Sequence, residues 1–318
     1  MGEHYTRYLL SKDPSVEIVG ADIKPLRTGP GGDTQAGKVT FYRGSFLDKK
    51  WVFDIIKRHK PDRVINLASY SSVAFSWENP SECFVNNTNI FLNIIDSVRE
   101  LKSGAKVLSV GSSEEYGPVS EKDMPLEESM RTGPINPYAA ARVAQENLSG
   151  VYAAGYGLDI VCTRSFNHVG PGQPDIFAVS SFARQVTEAR LGLRDKITCG
   201  NLGIVRDFID VRDVVKAYDL LLEKGKKGEI YNVCSGEGYR LSEVLEMLKR
   251  KAGVDAPVEK NAALVRPADN PVIVGSCRKL ESATGFKRKY DLSRSLDDIL
   301  AYWKNSLERA SGISGKNK

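Results

Sequence analysis

The chain has 318 residues, of which 41% are hydrophobic and 27% are charged, and its formal net charge is +5 at pH 7. This composition is typical of a globular protein with a sizeable core, and the spread of Lys and Arg along the chain argues against a nucleic-acid-binding protein. No apolar run approaches the roughly 18 residues of a membrane span, and the opening residues lack the apolar core of a signal peptide, so we expect a cytoplasmic protein without nucleic-acid or membrane partners.

Short β-like runs alternate with longer amphipathic helices in the first half of the chain. The chain opens within a helical pattern, whose apolar stripe comprises Tyr5, Tyr8, Leu9 and Leu10. The pattern then predicts strands at Val16–Ala21, Val39–Arg43, Arg63–Ala68, Ala105–Gly111 and Leu158–Arg164, and helices at Lys49–His59, Ser81–Leu101 and Tyr138–Ala154. This alternation predicts an α/β fold with a Rossmann-like, doubly wound parallel sheet, which binds ligands beyond the carboxyl ends of its strands.

After about Ser165 the loops lengthen and the elements become mixed. The pattern predicts helices at Phe177–Leu191, Val211–Glu223 (capped by Asp210), Leu241–Ala252 and Leu292–Glu308, and a strand at Glu229–Val233. We interpret this half as a smaller, mixed α/β substrate lobe, partly interleaved with the first. The predicted organisation is a dinucleotide-binding domain at 1–165, a substrate lobe at 166–309 and a flexible tail at 310–318.

The expected sheet has no visible first strand. A doubly wound sheet opens with a strand, a glycine-rich turn and a helix, and an acidic residue about 20 positions later binds the ribose. Asp22 lies twenty positions after Gly2, so we expect Gly2 to be the last glycine of a fingerprint whose first part is absent. A central strand burying about five apolar side chains contributes roughly 8–15 kcal/mol, comparable with the stability of a domain. Our hypothesis is therefore an N-terminal truncation, which direct pairing of the two flanking strands would contradict.

Cysteine and histidine usage predicts neither a metal site nor a disulfide framework. The five cysteines form no CxxC pair, and we expect small core residues in a reducing compartment. The three histidines are His4, His59 and His168. So few histidines argue against a histidine-rich metal site and against a Ser-His-Asp triad.

A tyrosine and a cation one helical turn apart follow a hydroxyl-rich turn. Ser112, Ser113 and Glu114 come after the strand Ala105–Gly111, and Tyr138 and Arg142 open the next helix. Positions i and i+4 share a helix face, and a nearby cation favours the phenolate form of a phenol whose ordinary pKa is about 10. The pattern predicts a general acid/base site that interconverts a carbinol and a ketone. The alternative is that Tyr138 is an amphipathic surface tyrosine.

From Gly2 to about Trp303 the chain resembles the extended short-chain dehydrogenases/reductases, and within them the GDP-4-dehydro-6-deoxy-D-mannose reductases. The motifs that carry the resemblance are NLASYSSVAFSW (66–77), GSSEEYG (111–117), SFNHVGPGQ (165–173), GNLGIVRDFIDVRDV (200–214), YNVCSG (231–236) and the segment 264–271. The resemblance implies an NADP- or NAD-dependent enzyme with a GDP-sugar substrate, and a homodimer formed through the helices Ser81–Leu101 and Tyr138–Ala154.

The resemblance also implies a role for each matching residue. Tyr138 would be the acid/base, supported by Arg142 and Glu114, and Ser112 would orient the C4 oxygen of the sugar. The implied cofactor-binding residues are Gly2, Asp22, Phe46, Leu67, Ala68, Ser69, Asn87, Tyr138 and Arg142. The implied substrate-binding residues are Ser71, Ser113, Asn167, Arg206 and Arg266, with Glu114 close to the sugar; arginine suits a diphosphate because its fork makes paired charge-assisted bonds.

Structural alternatives remain open for four of these residues. Arg206 could instead form a salt bridge with Asp207 or Asp213, and Arg266 could be a solvated loop residue. Asn167 could cap the turn before Gly170, and Glu114 could be a structural carboxylate.

The sequence departs from the family pattern at two positions. Arg142 stands where the family has lysine; it keeps the charge, but it is bulkier and planar, so the contact with the nicotinamide ribose could be reshaped. Ser45 stands where an acidic residue often precedes the adenine contact. Asp22 favours NAD because a carboxylate repels a 2′-phosphate, whereas Lys24 and Arg27 could accommodate that phosphate.

The leading hypothesis is the reduction of the C4 ketone of a GDP-4-keto-6-deoxyhexose to a GDP-6-deoxyhexose such as GDP-D-rhamnose. One alternative is a GDP-mannose 4,6-dehydratase, in which Glu114 would serve as the base. Another is a truncated, non-catalytic nucleotide-sugar-binding protein, which would bind GDP without binding a nicotinamide cofactor.

Overall fold

The computed structural model describes residues 1–25, 39–265 and 269–310. Its first half has the predicted alternation of strands and helices. In chain order these elements are α1 (Gly2–Lys12), β1 (Ile18–Asp22), β2 (Val39–Arg43), α2 (Lys49–His59), β3 (Arg63–Asn66), α3 (Val73–Glu78), α4 (Pro80–Glu100), β4 (Lys106–Ser112), α5 (Pro137–Gly155) and β5 (Ile160–Ser165).

The second half mixes short strands with four longer helices. In chain order its elements are β6 (Asn167–Val169), α6 (Ala178–Arg190), β7 (Ile197–Cys199), β8 (Val205–Asp210), α7 (Val211–Lys224), β9 (Ile230–Val233), β10 (Gly238–Arg240), α8 (Leu241–Ala252), β11 (Val258–Lys260), β12 (Val272–Ile273), α9 (Arg278–Thr284) and α10 (Leu292–Ala310).

A parallel sheet in the order β3-β4-β5-β9 forms the centre of the molecule. Side chains alternate across its two faces, as strand geometry requires. Val107 packs with α2 and α4 on one face, whereas Leu108 and Val110 pack with α1, α7 and α9 on the other. Both faces are therefore covered, which explains why β4 and β5 have almost no exposed residue.

Strands β1 and β2 form a separate parallel pair. In the part of the chain that the structure describes, β1 pairs only with β2, and β3 pairs only with β4. The strands that were expected to flank a central strand are thus not paired with each other.

A fully buried carboxylate on α7 joins helix α1 to the sheet. Asp219 accepts a hydrogen bond from Lys12 Nζ at 2.6 Å and one from Arg63 Nη1 at 3.3 Å, and its side chain is 1% exposed. Tyr8 Oη donates to the same carboxylate at 3.4 Å. This ion cluster fixes the start of the chain against α7 and β3.

The second half of the chain has its own core around β8. This strand pairs with β6, β10 and β12, and β7 pairs with β11. Helices α6, α8 and α10 pack together over the core. Because α7 and β9 return to the central sheet, the two halves of the chain share one face of that sheet; the boundary at residue 165 stays a prediction.

Local capping explains several helix boundaries. Asp48 accepts from Trp51 N at the start of α2, and Asp210 accepts from Arg212 N at the start of α7, as expected of N-cap residues. Helix α2 and helix α8 have the predicted bounds, but the strand predicted at Arg63–Ala68 ends at Asn66. Ala310 belongs to α10, so the prediction of a tail from 310 was wrong by one residue; residues 311–318 lie outside the described part.

All five cysteines are free and buried, as predicted. Within the described ranges, no helix combines the length and the apolar character that crossing a bilayer requires.

Candidate active site

The predicted catalytic residues meet where β4 ends and α5 begins. Ser112 is the last residue of β4, and Tyr138 is the second residue of α5. The loop after β3 carries Ser69 to the same place, since Arg142 Nη2 on α5 donates to Ser69 Oγ at 2.6 Å. These positions are the carboxyl ends of adjacent parallel strands, where such sheets bind ligands.

Tyr138 and Arg142 share one face of α5, as their spacing predicts. Tyr138 is 7% exposed, and the Arg142 Cζ atom lies 5.2 Å from the centre of its ring. The tyrosine packs in a small apolar cluster with Val73 and Cys83. It is therefore a buried residue with an adjacent cation, and the interpretation as an exposed surface tyrosine was wrong.

A buried carboxyl group supports the turn that presents Ser112. Glu115 Oε1 accepts a hydrogen bond from Ser112 N at 2.5 Å, and the Ser112 Oγ atom accepts from Glu114 N at 3.3 Å. This is a reciprocal capping box. Burial raises the pKa of Glu115 well above its usual range, and the negative charge of Glu146 adds to the increase.

We expect Glu115→Gln to stabilise the protein at alkaline pH. A carboxyl group whose pKa is higher in the folded than in the unfolded state costs stability as the pH rises above the unfolded value of about 4.3. The amide keeps the acceptor for Ser112 N and removes that cost. The melting temperature of the variant should equal that of the wild type near pH 4 and exceed it by a few degrees at pH 8. A constant difference at both pH values would contradict this assignment.

Glu114 links the serine turn to the catalytic helix. Its Oε2 atom accepts from Asn136 Nδ2 at 3.0 Å, and Asn136 Oδ1 accepts from Ala139 N at 2.8 Å as the N-cap of α5. Glu114 is half-buried. A carboxylate that touches the N-cap two residues before Tyr138 fixes the start of α5.

Two glycines close the long loop between β4 and α5 at its base. Gly117 has φ 74°, and a Cβ atom there would lie 1.5 Å from Gly133 O. Gly133 N donates to Glu115 O at 2.9 Å. Only glycine combines this backbone conformation with so close an approach. We refer to the contact of Gly117 with Gly133 as the glycine clasp.

The residues implied for cofactor binding surround the ends of β1 and β3. Asn87 is buried and holds the loop after β3, because it accepts from Tyr70 N at 2.8 Å and donates to Tyr70 O at 2.9 Å. Ala68 N donates to Asn66 Oδ1 at 3.2 Å. Leu67 and Ala68 pack against the two faces of the central sheet. Asn87 therefore supports the loop that carries Ala68 and Ser69.

The other implied cofactor residues lie at accessible positions. Asp22 ends β1, is exposed and accepts from Lys24 N at 2.9 Å. Phe46 is half-buried against Trp51, with ring centres 5.5 Å apart. Gly2 begins α1 and has open space where a Cβ atom would stand. Arg27 lies outside the described residues.

Several buried polar atoms at this edge of the sheet have no hydrogen-bond partner among the described residues. They are Asn66 Nδ2, Glu115 Oε2, Arg142 Nε, His168 Nε2 and Gln173 Oε1. Burial lowers the pKa of His168 to about 4, so its ring is neutral at physiological pH. Buried polar groups are almost always satisfied in native proteins, so this set fits a polar ligand such as a dinucleotide.

The implied substrate residues are in different environments. Ser71 is exposed, and Ser113 is buried. Asn167 Nδ2 donates to Asp207 O at 3.2 Å, which differs from the alternative of a cap on the turn before Gly170. Arg266 lies outside the described residues.

Arg206 is buried against the last segment of the substrate lobe. It pairs with Asp269, and its Nη1 donates to Asn270 O at 2.8 Å. The alternative that Arg206 forms a salt bridge was right, but the predicted partners were wrong. Asp207 and Asp213 bind other groups, and Asp269 is the partner. Its guanidinium is 5% exposed.

Asp207 is a structural centre next to Arg206. Its carboxylate is fully buried and accepts from Ser235 N at 2.7 Å, Ser235 Oγ at 2.7 Å, Gly236 N at 2.9 Å and Gly275 N at 3.3 Å. Because its backbone oxygen also binds Asn167, Asp207 fixes the segments that meet beside the active site.

Three supporting residues of the site were not predicted from the sequence. Glu115, Asn136 and Gln145 are buried polar residues that hold Ser112, Glu114 and Arg142 respectively. For Asn136 the sequence contains a pattern that could have indicated this role. Asn136 directly precedes Pro137, which is typical of an N-cap residue followed by a first-turn proline.

Comparison with known proteins places this geometry among nucleotide-sugar enzymes. The family described as GDP-mannose 4,6 dehydratase matches residues 1–299. A GDP-6-deoxy-D-mannose reductase of Pseudomonas aeruginosa is 34% identical over 246 residues, which cover 77% of this chain and 81% of the relative.

Solved structures give the same result for the fold. The structure of RMD from Pseudomonas aeruginosa complexed with NADPH has a TM-score of 0.81 and 30% identity, and the match covers 92% of this chain and 100% of that one. A UDP-glucose 4-epimerase of Thermus thermophilus in complex with NAD has a TM-score of 0.84 and 30% identity, with 96% of each chain covered. The predicted family and the Rossmann-like fold class are confirmed.

Proposed function

The chain belongs to the GDP-mannose 4,6-dehydratase family of extended short-chain dehydrogenases/reductases, and from this premise we propose that it reduces the C4 ketone of a GDP-4-keto-6-deoxyhexose with NADPH or NADH. The product is a GDP-6-deoxyhexose such as GDP-D-rhamnose. The observation that carries the proposal is the buried pair of Tyr138 and Arg142 in the first two turns of α5, a helix whose N-cap, Asn136, is hydrogen-bonded to Glu114 in the turn after Ser112. The similarity to a GDP-6-deoxy-D-mannose reductase supports the choice of substrate.

Three residues of this chain have separate roles in the proposed reaction. Tyr138 Oη donates a proton to the C4 oxygen as negative charge develops there. Ser112 Oγ orients the same oxygen by a hydrogen bond. Arg142 favours the phenolate that remains on Tyr138, because an adjacent cation stabilises the charged form of an acid.

The cofactor site is assembled from the ends of β1 and β3. Asp22 would meet the adenosine ribose, and the loop with Ala68 and Ser69, held by Asn87, would line the dinucleotide. The unpartnered Arg142 Nε and His168 Nε2 atoms supply further polar groups. When bound, the reduced nicotinamide supplies the hydride that adds to C4. We propose NADP or NAD, since the related structures contain NADPH and NAD.

A substrate comparison tests the proposal. The full chain is mixed separately with GDP-4-keto-6-deoxymannose, GDP-mannose and UDP-glucose, and the absorbance of NADPH or NADH is followed at about 340 nm. Consumption of reduced cofactor with the keto sugar alone supports the reductase. Conversion of GDP-mannose without net consumption would replace it by a dehydratase with Glu114 as the base, and interconversion of UDP-glucose would replace it by an epimerase. Calorimetric binding of GDP but not of either dinucleotide would indicate a non-catalytic protein.

We also propose that two copies associate through α4 and α5, in the cytoplasm. Val85 on α4 is 51% exposed, and Val151 on α5 is 60% exposed, so both helices present apolar groups that a partner could cover. Val85→Glu should convert a dimer to a monomer in sedimentation equilibrium. Val258→Glu, at an exposed apolar position on β11, is the matched control. A wild-type monomer, or dissociation by both substitutions, would contradict this surface.

A further inference from the structure

Arg142 is a buried cation without a carboxylate partner. Its residue is 5% exposed, and among the described residues no carboxylate oxygen is within 4.0 Å of its guanidinium. The charge of Arg142 acts on Glu115, but burial keeps the pKa of that carboxyl group raised above its usual range. An unpaired buried charge is costly, so this guanidinium has to be held by neutral acceptors.

Those neutral acceptors come from three elements. Arg142 Nη1 donates to Val110 O at 2.9 Å and to Gln145 Oε1 at 2.7 Å, and Nη2 donates to Ser69 Oγ at 2.6 Å. The Nε atom is the one buried nitrogen of this group that lacks a partner among the described residues. The guanidinium is thus fixed through both terminal nitrogens, and Nε is the nitrogen whose N–H is left wholly for a ligand.

Gln145 is itself fixed on its other side. It is 1% exposed, and its Nε2 donates to Ser109 Oγ at 2.9 Å and to Val110 O at 3.0 Å. Ser149 Oγ donates in turn to Ser109 Oγ at 3.1 Å. Both ends of the Gln145 amide are therefore used, and its oxygen can point only at Arg142.

We propose that Gln145 is a positioning residue for the active site: it holds the Arg142 guanidinium beside Tyr138 so that Nε–H is presented to an oxygen acceptor on the nicotinamide half of the cofactor. This inference rests on the proposed function. A lysine at position 142 would have a single ammonium group and would need no such support, whereas a planar fork has to be oriented. Arg142 and Gln145 act as a unit that replaces one lysine.

The neutrality of Gln145 is part of the same arrangement. A glutamate at this position would accept from Nη1 equally well, but its charge would cancel that of Arg142. Less positive charge would then remain to stabilise the phenolate of Tyr138. An amide holds the cation without neutralising it.

Binding measurements on variants of the full chain test the proposal. NADPH and ADP are titrated by fluorescence; ADP occupies only the adenosine half of the site. Gln145→Leu removes the acceptor, and we expect about tenfold weaker NADPH binding with unchanged ADP binding, since a hydrogen bond to a charged group is lost. Thr187→Ala is the matched control, because it removes a buried hydroxyl whose Oγ1 donates within α6, to Ala183 O at 2.7 Å, far from the Gln145 network. Equal weakening of NADPH and ADP, or equal effects of Gln145→Leu and Thr187→Ala, would overturn the positioning role.

Gln145→Glu separates binding from chemistry. We expect NADPH affinity within about threefold of the wild type and kcat lowered about tenfold, because the acceptor is kept and the charge is cancelled. In an Arg142→Met background, Gln145→Leu should weaken NADPH binding no further; additive losses would show that Gln145 does not act through Arg142. If the wild type binds NADPH but does not turn over the keto sugar, the proposed function fails while the binding comparison still decides the role of Gln145.

Discussion

Tyr138→Phe is expected to lower kcat for the reduction of the keto sugar about 1,000-fold, with the affinity for NADPH and the melting temperature nearly unchanged. General acid catalysis contributes about 100- to 10,000-fold, and the variant removes the donor hydroxyl while keeping the ring that packs with Val73 and Cys83. The measurement is NADPH oxidation under single-turnover conditions, which isolates the chemical step from product release.

Tyr156→Phe is the control for this substitution, because Tyr156 follows α5 and is 57% exposed. It should retain full activity. If Tyr138→Phe kept more than about a tenth of the wild-type kcat, another group would be donating the proton.

Asp207→Ala is expected to lower the free energy of unfolding more than any other substitution proposed for this protein. The substitution leaves the N–H groups of Ser235, Gly236 and Gly275 without their acceptor, and that of Gly275 is buried. A hydrogen bond to a charged group is worth about 1.5–3 kcal/mol and several are lost together, so we expect the urea midpoint to fall strongly or the protein to fail to fold.

Ser235→Ala keeps this prediction testable if the first variant cannot be purified. It removes the Ser235 Oγ atom, which donates to Asp207 at 2.7 Å and accepts from Glu237 N at 3.1 Å, but keeps the backbone donors to Asp207. A loss of about 1 kcal/mol is expected in urea unfolding. A stable Asp207→Ala protein with a wild-type urea midpoint would contradict the structural role of this carboxylate.

Local patterns in the sequence were sufficient to predict the helices and the main parallel strands. Helix α2 could be bounded at both ends because its periodicity is regular and Asp48 is a side-chain cap. The face shared by Tyr138 and Arg142 followed from helical geometry alone. These features depend on neighbours within a few residues of one another.

Short strands and long-range polar contacts could not be predicted in the same way. Strand β8 was missed because its six residues include Arg206, Asp207 and Asp210, whose charges are buried by partners elsewhere in the chain. The partner of Arg206 is 63 residues away at Asp269. Likewise, the hydrogen bond between Glu114 and Asn136 spans a loop, and no local pattern relates residues across that distance.

The glycine clasp has a consequence for how this region can vary in length. Gly117 and Gly133 are in close contact at the base of the loop. We therefore expect the residues on either side of the loop to keep their positions when the residues between these two glycines change in number. That loop is also attached at Val119 and Leu126, and the residues Ser120–Asp123 between these attachments are exposed. Insertions between Glu121 and Lys122 therefore lengthen a solvent-facing arc without moving Ser112 relative to Tyr138. The same arc is a natural place to graft a peptide tag or a further recognition segment onto this enzyme family.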